Sequence, residues 1–437
     1  MLYDINVLTI VVMAALGAIC AYLANQNIAV FHDGLRPVYT QYFDKTMDRK
    51  TLFATSFALS IGLVVGFGIP TSIAGKIIIV HTIMLACDII GTAFSDKGNK
   101  WLSAVVGAGL GVVLLFGMQF IMDLFALLPI DFTGNLSQVG DLIVVAFSVF
   151  PAIAVAYQAG IKTGGIVLLL TMLVKQVVAV YGTLSFSNFD VALNPDGMAL
   201  LFAVLAMVFV ATRVSKGEGT STADAFAIFS ANIDRIKKNI VLLGISGGIV
   251  ALATTLFLIA EGPASLVLTA EGQYFEAAMV ALGRTIGFIP LVMTTAIVSG
   301  VYSPAGTKAV HVPAILFINL GIMGLVGSFV VGALIMVIEV LLLGFIAAGL
   351  DKFPGMKDLG DNTRTAMSKV LDIALLVGGM LAANAIAPTL GFIWVIGLHF
   401  LNQASKKSIP SMAIGPLGAI SMGIIVNILH LIGLFPQ

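Results

Sequence analysis

The sequence predicts an all-α fold, a polytopic transmembrane helical bundle of about fourteen spans (roughly 12–14). Three observations predict it. Of 437 residues, 59% are hydrophobic and only 10% are charged, against about 25% charged in a soluble domain. The apolar residues fall into runs approaching the ~20 residues that a membrane-crossing helix needs. The basic residues keep to every second gap between those runs: all but three of the 22 Lys and Arg do so. The exceptions are Lys76 at a run edge, and Lys175 and Arg284 inside runs.

The candidate spans, in order, are roughly 5–26, 52–70, 73–94, 101–130, 141–159, 163–182, 197–213, 239–260, 276–300, 311–328, 331–350, 369–387, 390–403 and 411–435. Short basic loops stay on the cytoplasmic side. An outside N-terminus therefore puts Arg36, Lys45, Arg49, Lys97, Lys162, Arg213, Lys238, Lys308, Lys352 and Lys406 inside, and both termini outside. The alternate gaps carry Asp131, Asp141, Asp190, Asp196, Glu261, Glu271 and Glu276. No basic stretch precedes the first run, which argues against a cleaved signal peptide. Cys20 and Cys87 lie in apolar runs and read as small core residues.

The longest inside linker, 214–238, divides the chain into a first transmembrane repeat, 1–213, and a second, 239–437. Lys216-Gly-Glu-Gly-Thr-Ser221 reads as flexible. Phe226, Phe229, Ile233 and Ile236 then recur at helical spacing among charges, which suits an amphipathic surface helix or a solvated connector. Seven spans is an odd number, so the second half enters from the opposite side, and any repeat relating the halves is inverted. Inverted repeats with broken helices are a plan of secondary transporters. Three echoes keep the same order in both halves. Gly66-Phe-Gly-Ile-Pro70 matches Gly287-Phe-Ile-Pro290, Val80-His81 matches Val310-His311, and Asp141 matches Asp372.

Arg284 is the most informative residue. It lies about nine residues into its run, ~13 Å deep, where a cation costs at least ~2.5 kcal/mol and faces a cavity or a partner. Pro290 breaks the helix beside it, and Thr294 and Thr295 follow. Two readings stand: an anion anchor, or a structural ion pair with Glu339. Glu339 sits mid-run and is either that partner or a carrier of a coupling cation, H+ or Na+. Lys175 and Gln176 form a second deep polar pair, weakened by the reach of a snorkelling lysine. His81 and Asp88 are seven residues apart on nearly one face. They suit a proton relay, cation coordination or plain helix–helix hydrogen bonding. Asn384, after Gly378-Gly379 and before Pro388, marks a further interrupted span that would add to the binding site. Phe31-His-Asp-Gly-Leu-Arg-Pro37 is too dense in charge and turn formers for an apolar linker. His32, Asp33 and Arg36 there read as a gate or a structural turn. Gly107-Ala-Gly-Leu-Gly111 offers a small-residue face, for a homodimer or for packing within the chain.

Net charge is zero, which gives nucleic acid no foothold. No P-loop, zinc cluster or nucleophile elbow occurs, so neither an enzyme nor a cofactor is expected.

Several of these motifs resemble the YhfT family of bacterial inner-membrane proteins. They are Phe31-His-Asp-Gly-Leu-Arg-Pro37, Ala58-Leu-Ser-Ile-Gly62, Phe150-Pro151 with Tyr157-Gln-Ala-Gly160, Arg284 with Gly287-Phe-Ile-Pro290, Thr294-Thr-Ala296 with Gly300-Val-Tyr302, and Asp361-Asn362 with Arg364 and Ala366-Met367. The likeness spans nearly the whole chain. It implies an inner-membrane transporter and, by association, a small polar metabolite, without binding residues to carry over. The leading expectation is a secondary transporter of a small polar or anionic solute. Arg284 would anchor the solute, Glu339 or Asp88 would bind the coupling ion, and the lipid bilayer would be the remaining partner. The alternatives are a phosphotransferase-type sugar-conducting subunit and a non-transporting lipid-binding protein.

Overall fold

A computed structural model describes residues 3–435 apart from 97, 187–188, 194, 214–221, 353–354 and 406–408. The elements are, in order, α1 Val7–Asn25, α2 Val38–Phe43, α3 Arg49–Leu63, α4 Ile69–Gly75, β1 Ile78–Ile79, α5 Val80–Ala93, α6 Lys100–Ala126, α7 Ser137–Ala159, α8 Ile161–Tyr181, β2 Thr183–Phe186, β3 Phe189–Ala192, α9 Pro195–Arg213, α10 Thr222–Lys237, α11 Ile240–Thr255, β4 Ile259–Ala260, α12 Pro263–Ala270, α13 Tyr274–Ser299, α14 His311–Leu316, α15 Gly321–Lys352, α16 Gly355–Ile386, α17 Leu390–Ala404 and α18 Ser411–Leu431. The protein is a multi-pass helical bundle. Among the described residues, eight helices are long and apolar enough to cross a membrane, or up to ten if each bent pair is one span. The outward faces are apolar: α15 alone exposes Ile322, Met323, Val326, Leu334 and Phe345. Such a belt is a liability in water and an asset in lipid.

That count is lower than the fourteen runs read from the sequence, because several runs are broken. The run 73–94 contains the left-handed turn at Lys76, strand β1 and the 14-residue α5. The division of 311–350 falls elsewhere than expected. α14 has only 6 residues, Gly321 turns the chain with φ 56°, and α15 then runs unbroken. Between α3 and α4, residues Val64–Gly68 form a π-helical turn, a widening that often marks a functional site. α13 bends by 47° between Ile286 and Leu291, around the Gly287 and Pro290 positions. The all-α expectation also left out the short strands. β2 and β3 form an antiparallel hairpin between α8 and α9.

The linker region does form a helix, α10, burying Ile233 and Ile236. Asn232 Nδ2 donates to the Ile297 and Val298 carbonyls of α13. The Lys216–Ser221 stretch and the Phe226 side chain lie outside the described residues.

Helices pack in matching pairs. α1 lies against α6 through glycine: a Cβ on Gly17 would stand 2.0 Å from the Gly107 carbonyl oxygen, and one on Gly111 would stand 2.1 Å from the Met13 oxygen. α11 lies against α15 the same way, where a Cβ on Gly247 would stand 2.8 Å from the Gly332 oxygen. Gly107 and Gly111 are thus spent inside the chain, not on a dimer face. α7 packs on α8 and α9, and α16 packs on α17 and α18. Two parallel pairings cross between the ends of these groups. Ile78 and Ile79 after α4 pair with Ile259 and Ala260 after α11. Ala29 after α1 bridges Tyr302 after α13. One bundle therefore contains α1, α3–α6, α11, α14 and α15, the other contains α7–α9 with α16–α18, and α13 packs on both.

Candidate functional site

The extended stretches around the crossed pairings are too short to satisfy their own backbone, so side chains hold them. Asp88 on α5 is buried and accepts the backbone N–H groups of Phe31 (3.0 Å) and His32 (2.8 Å). Arg36 is fully buried. It donates to the Val30 and Phe31 carbonyls, ion-pairs with Asp33, and reaches Thr295 Oγ1 at 2.9 Å. His32 Nδ1 accepts the Gly34 N–H. The 31–37 motif is thus a braced re-entrant turn docked on α5 and α13.

Glu339 on α15 braces the opposite loop. It accepts Tyr302 OH at 2.7 Å, Thr307 N–H at 2.9 Å and Thr307 Oγ1 at 2.5 Å. Gly306 has φ 55°, and a Cβ there would strike Glu339 Oε2 at 2.1 Å, so glycine is required. Ser246 Oγ donates to the Pro304 carbonyl, and Thr254 Oγ1 meets His311 Nδ1 at 2.8 Å. This bracing carries Lys308 in a left-handed conformation, φ 75°. For a residue with a Cβ that backbone is strained, and such strain clusters at functional sites.

The Lys308 side chain is 4% exposed. Its Nζ lies 3.8 Å from the Phe288 ring centroid and 5.6 Å from that of Phe31, close enough for cation–π attraction. Among the described residues it has no hydrogen-bond acceptor and no carboxylate within ion-pair distance. It opens instead on a cavity of about 330 Å³ that also takes in His32, Asp33, Leu59, Phe67, His81, Leu85, Met367, Ser368 and Ser411. The cavity lies between the two bundles, with α3, α5 and α13 on one side and α16 and the start of α18 on the other. His81 stands edge-on to Phe31 (5.1 Å) and Phe67 (4.9 Å), and its Nδ1 has no hydrogen-bond partner among the described residues.

Arg284 is buried on α13, as its place in the run suggested, and forms an ion pair with a different carboxylate than expected. Its partner is Glu261, at 3.0 Å, and not Glu339. Both side chains are buried, and Ser265 Oγ donates to the other Glu261 oxygen. Gly262 makes room, since a Cβ there would sit 1.3 Å from Arg284 Nη1. The pair lies behind the cavity wall, not on it. His81 and Asp88 do not form a relay, because the backbone takes both Asp88 oxygens and phenylalanine rings enclose His81. Thr295 is bound by Arg36, and the Thr294 side chain lies outside the described residues.

Lys175 and Gln176 are elsewhere altogether. They lie on α8 at the edge of the bundle, where Lys175 pairs with Asp196 of α9 and Gln176 is exposed. Asn384 is also remote, and its Oδ1 caps the Thr389 N–H in the α16–α17 turn. Sequence reasoning missed Lys308 and Glu261 by counting both as loop charges. The available signal was the Ser303-Pro-Ala-Gly306 turn chemistry before Lys308, and its place three residues ahead of the echoed His311. Among the described residues, no group of three or more His, Cys, Asp or Glu stands together as a metal site.

A second, smaller cavity of about 130 Å³ lies between α9 and α13, lined by Gly197, Met198, Phe275, Met279 and Gly283. It occupies the α13–α9 crevice as the larger one occupies the α3–α18 crevice.

The YhfT family model, described as "protein of unknown function", matches residues 9–435. A curated relative from Escherichia coli (strain K12), "uncharacterized protein YhfT", is 30% identical over 442 residues, covering 98% of each chain. No solved structure matches this chain.

Proposed function

The chain belongs to the YhfT family, and from that premise we propose that it is a secondary transporter of a small anionic solute, bound at Lys308. The observation that carries this reading is the buried Lys308 ammonium, which faces a cavity between two bundles without an anionic partner of its own. Desolvating an ammonium is expensive unless something offsets it, and a bound anion supplies the offset. The site assigned to Arg284 from sequence passes to Lys308, because Arg284 is already neutralised by Glu261.

The proposal includes a seven-plus-seven inverted plan, with 1–213 and 239–437 as repeats and 214–238 as their connector. α1, α3–α4, α5, α6, α7, α8 and α9 then correspond to α11, α13, α14, α15, α16, α17 and α18. Two segments too short to cross as one helix, α5 and α14, each follow non-helical chain, Ile78–Ile79 before α5 and residues 300–310 before α14. The glycine contacts of α1–α6 and α11–α15 support the correspondence. So do the crossed pairings, each joining the chain after the first helix of one half to the chain after the second segment of the other. Inverted halves put the two crevices on opposite faces, which is the geometry alternating access requires. The membrane is the bacterial cytoplasmic one, with both termini outside, and the coupling cation is H+ or Na+.

Flux into proteoliposomes tests the reading. With a proton or sodium gradient imposed, labelled organic anions should accumulate, and Lys308→Met should abolish accumulation while gel filtration still shows a folded protein. Absence of driven flux for every anion offered, with protein shown to be folded, would end the proposal.

A further inference from the structure

The cavity is chemically lopsided. Lys308 is its one cation without an ionic partner among the described residues, and the Asp33 carboxylate on its wall is already paired with Arg36. Most of the remaining wall is hydrocarbon or aromatic, including Leu59, Phe67, Leu85 and Phe288, with His32, His81, Ser368 and Ser411 as its polar positions, and the ammonium lies 3.8 Å from the Phe288 ring centroid. A phosphate monoester brings about −1.5 to −2 charges, and its second charge meets no free cation here. A sugar brings more hydroxyls than the few polar groups of this wall can meet, and leucine and phenylalanine leave the rest unsatisfied. A single carboxylate on an apolar body avoids both penalties. The volume, about 330 Å³, is at the low end of small-molecule sites.

We propose that the ligand is an amphipathic monoanion, a carboxylate carrying an aromatic or branched aliphatic body. Its head group meets Lys308 and its body lies along Leu59, Phe67 and Leu85. The inference rests on the same cavity as the transporter reading and narrows it from small anions to apolar acids.

Titration calorimetry on the purified protein in detergent tests it with three probes: phenylacetate, glucose 6-phosphate and phenylalanine. Phenylacetate should bind most tightly, and Lys308→Met should weaken it by about 10- to 100-fold. Ser411→Asp gives a second variant that is safe for folding, since Ser411 is exposed at the first turn of α18, where a carboxylate suits the helix dipole. It brings negative charge to the cavity wall and should weaken phenylacetate several-fold without lowering Tm. Tighter binding of glucose 6-phosphate or phenylalanine overturns the assignment, as does no binding of any probe or indifference to both variants. Phenylacetate counterflow in vesicles is read separately. Binding without counterflow upholds the ligand class and ends the transport reading, whereas counterflow of glucose 6-phosphate alone does the reverse.

Discussion

Glu261 and Arg284 close a 3.0 Å ion pair in which neither side chain is more than 3% exposed. Glu261 follows strand β4 and Arg284 lies on α13, so the pair ties one crossed strand to a bent helix. A buried pair adds little over an apolar filling, but breaking it strands a charge at a cost of about 3–5 kcal/mol. Arg284→Met and Glu261→Leu should therefore each lower thermal stability in detergent sharply. The double substitution Arg284→Met with Glu261→Leu should recover most of the loss. A double-mutant cycle reads the coupling directly, and additive losses would show that the two charges do not depend on one another.

The α1–α6 seam makes a sharper test, because two glycines two residues apart on α6 differ completely. A Cβ on Gly107 would stand 2.3 Å from the Gly17 carbonyl oxygen, whereas Gly109 has nothing within 4 Å. Gly107→Val must separate the helices and should cost several kcal/mol, by the overpacking that cores resist. Gly109→Val faces open space and should change stability by less than about 1 kcal/mol. Chemical denaturation of the two variants in mixed micelles measures the difference. Equal effects would remove the seam from its structural role.

Much of this architecture was legible in the sequence. Apolar runs placed nearly every long helix, and the echoes Val80-His81 and Val310-His311 fall at the starts of α5 and α14. What failed was the assumption that a charge between two runs lies in a loop outside the membrane. Lys308, Arg36 and Glu261 are all in gaps by that count, yet all are buried. Hydropathy averages over a window and does not see a re-entrant turn whose polar groups satisfy each other. Lys175 failed the opposite way. It lies deep in its run, but on a helix at the bundle edge, where it reaches Asp196. Partner choice was equally opaque. Glu339 and Glu261 were both available to Arg284, and only the crossed strand chooses between them.

One end of α1 is tied down by a polar knot outside the apolar spans. Asp96 accepts Tyr42 OH at 2.7 Å and Asn27 Nδ2 at 3.0 Å, and Arg49 donates to Asn27 Oδ1 at 2.7 Å. Burial pulls the Asp96 carboxyl up, but the Tyr42 and Asn27 hydrogen bonds and the Arg49 charge outweigh it and hold it below its ordinary value. A depressed folded value gives stability that is fully present above the unfolded value, about 3.9, and is lost as pH falls through the folded one. Asp96→Asn should therefore lower Tm at pH 7, and the gap to wild type should close below about pH 4. A gap independent of pH would mean the carboxylate charge has no part in the knot.

Glu339 separates bracing from ion coupling. Its Oε2 accepts both Tyr302 OH and Thr307 N–H, while Oε1 accepts the Thr307 hydroxyl. In Glu339→Gln the amide oxygen can take the Oε2 position and the NH₂ can face Thr307 Oγ1, which turns from donor to acceptor. All three contacts survive, so the loop that carries Lys308 keeps its shape without the charge. Glu339→Ala leaves Tyr302 OH and the Thr307 N–H unsatisfied, a loss of about 1–3 kcal/mol for each buried group. The variants should therefore part company: Gln retains ligand affinity within about threefold, while Ala loses about tenfold or more. If bracing is the whole role, gradient-driven flux follows affinity in both. If Gln binds normally but no longer concentrates solute, the Glu339 carboxylate carries the coupling cation as well. If Gln binds as poorly as Ala, the loop depends on the charge itself, and the hydrogen-bonded brace is the wrong account.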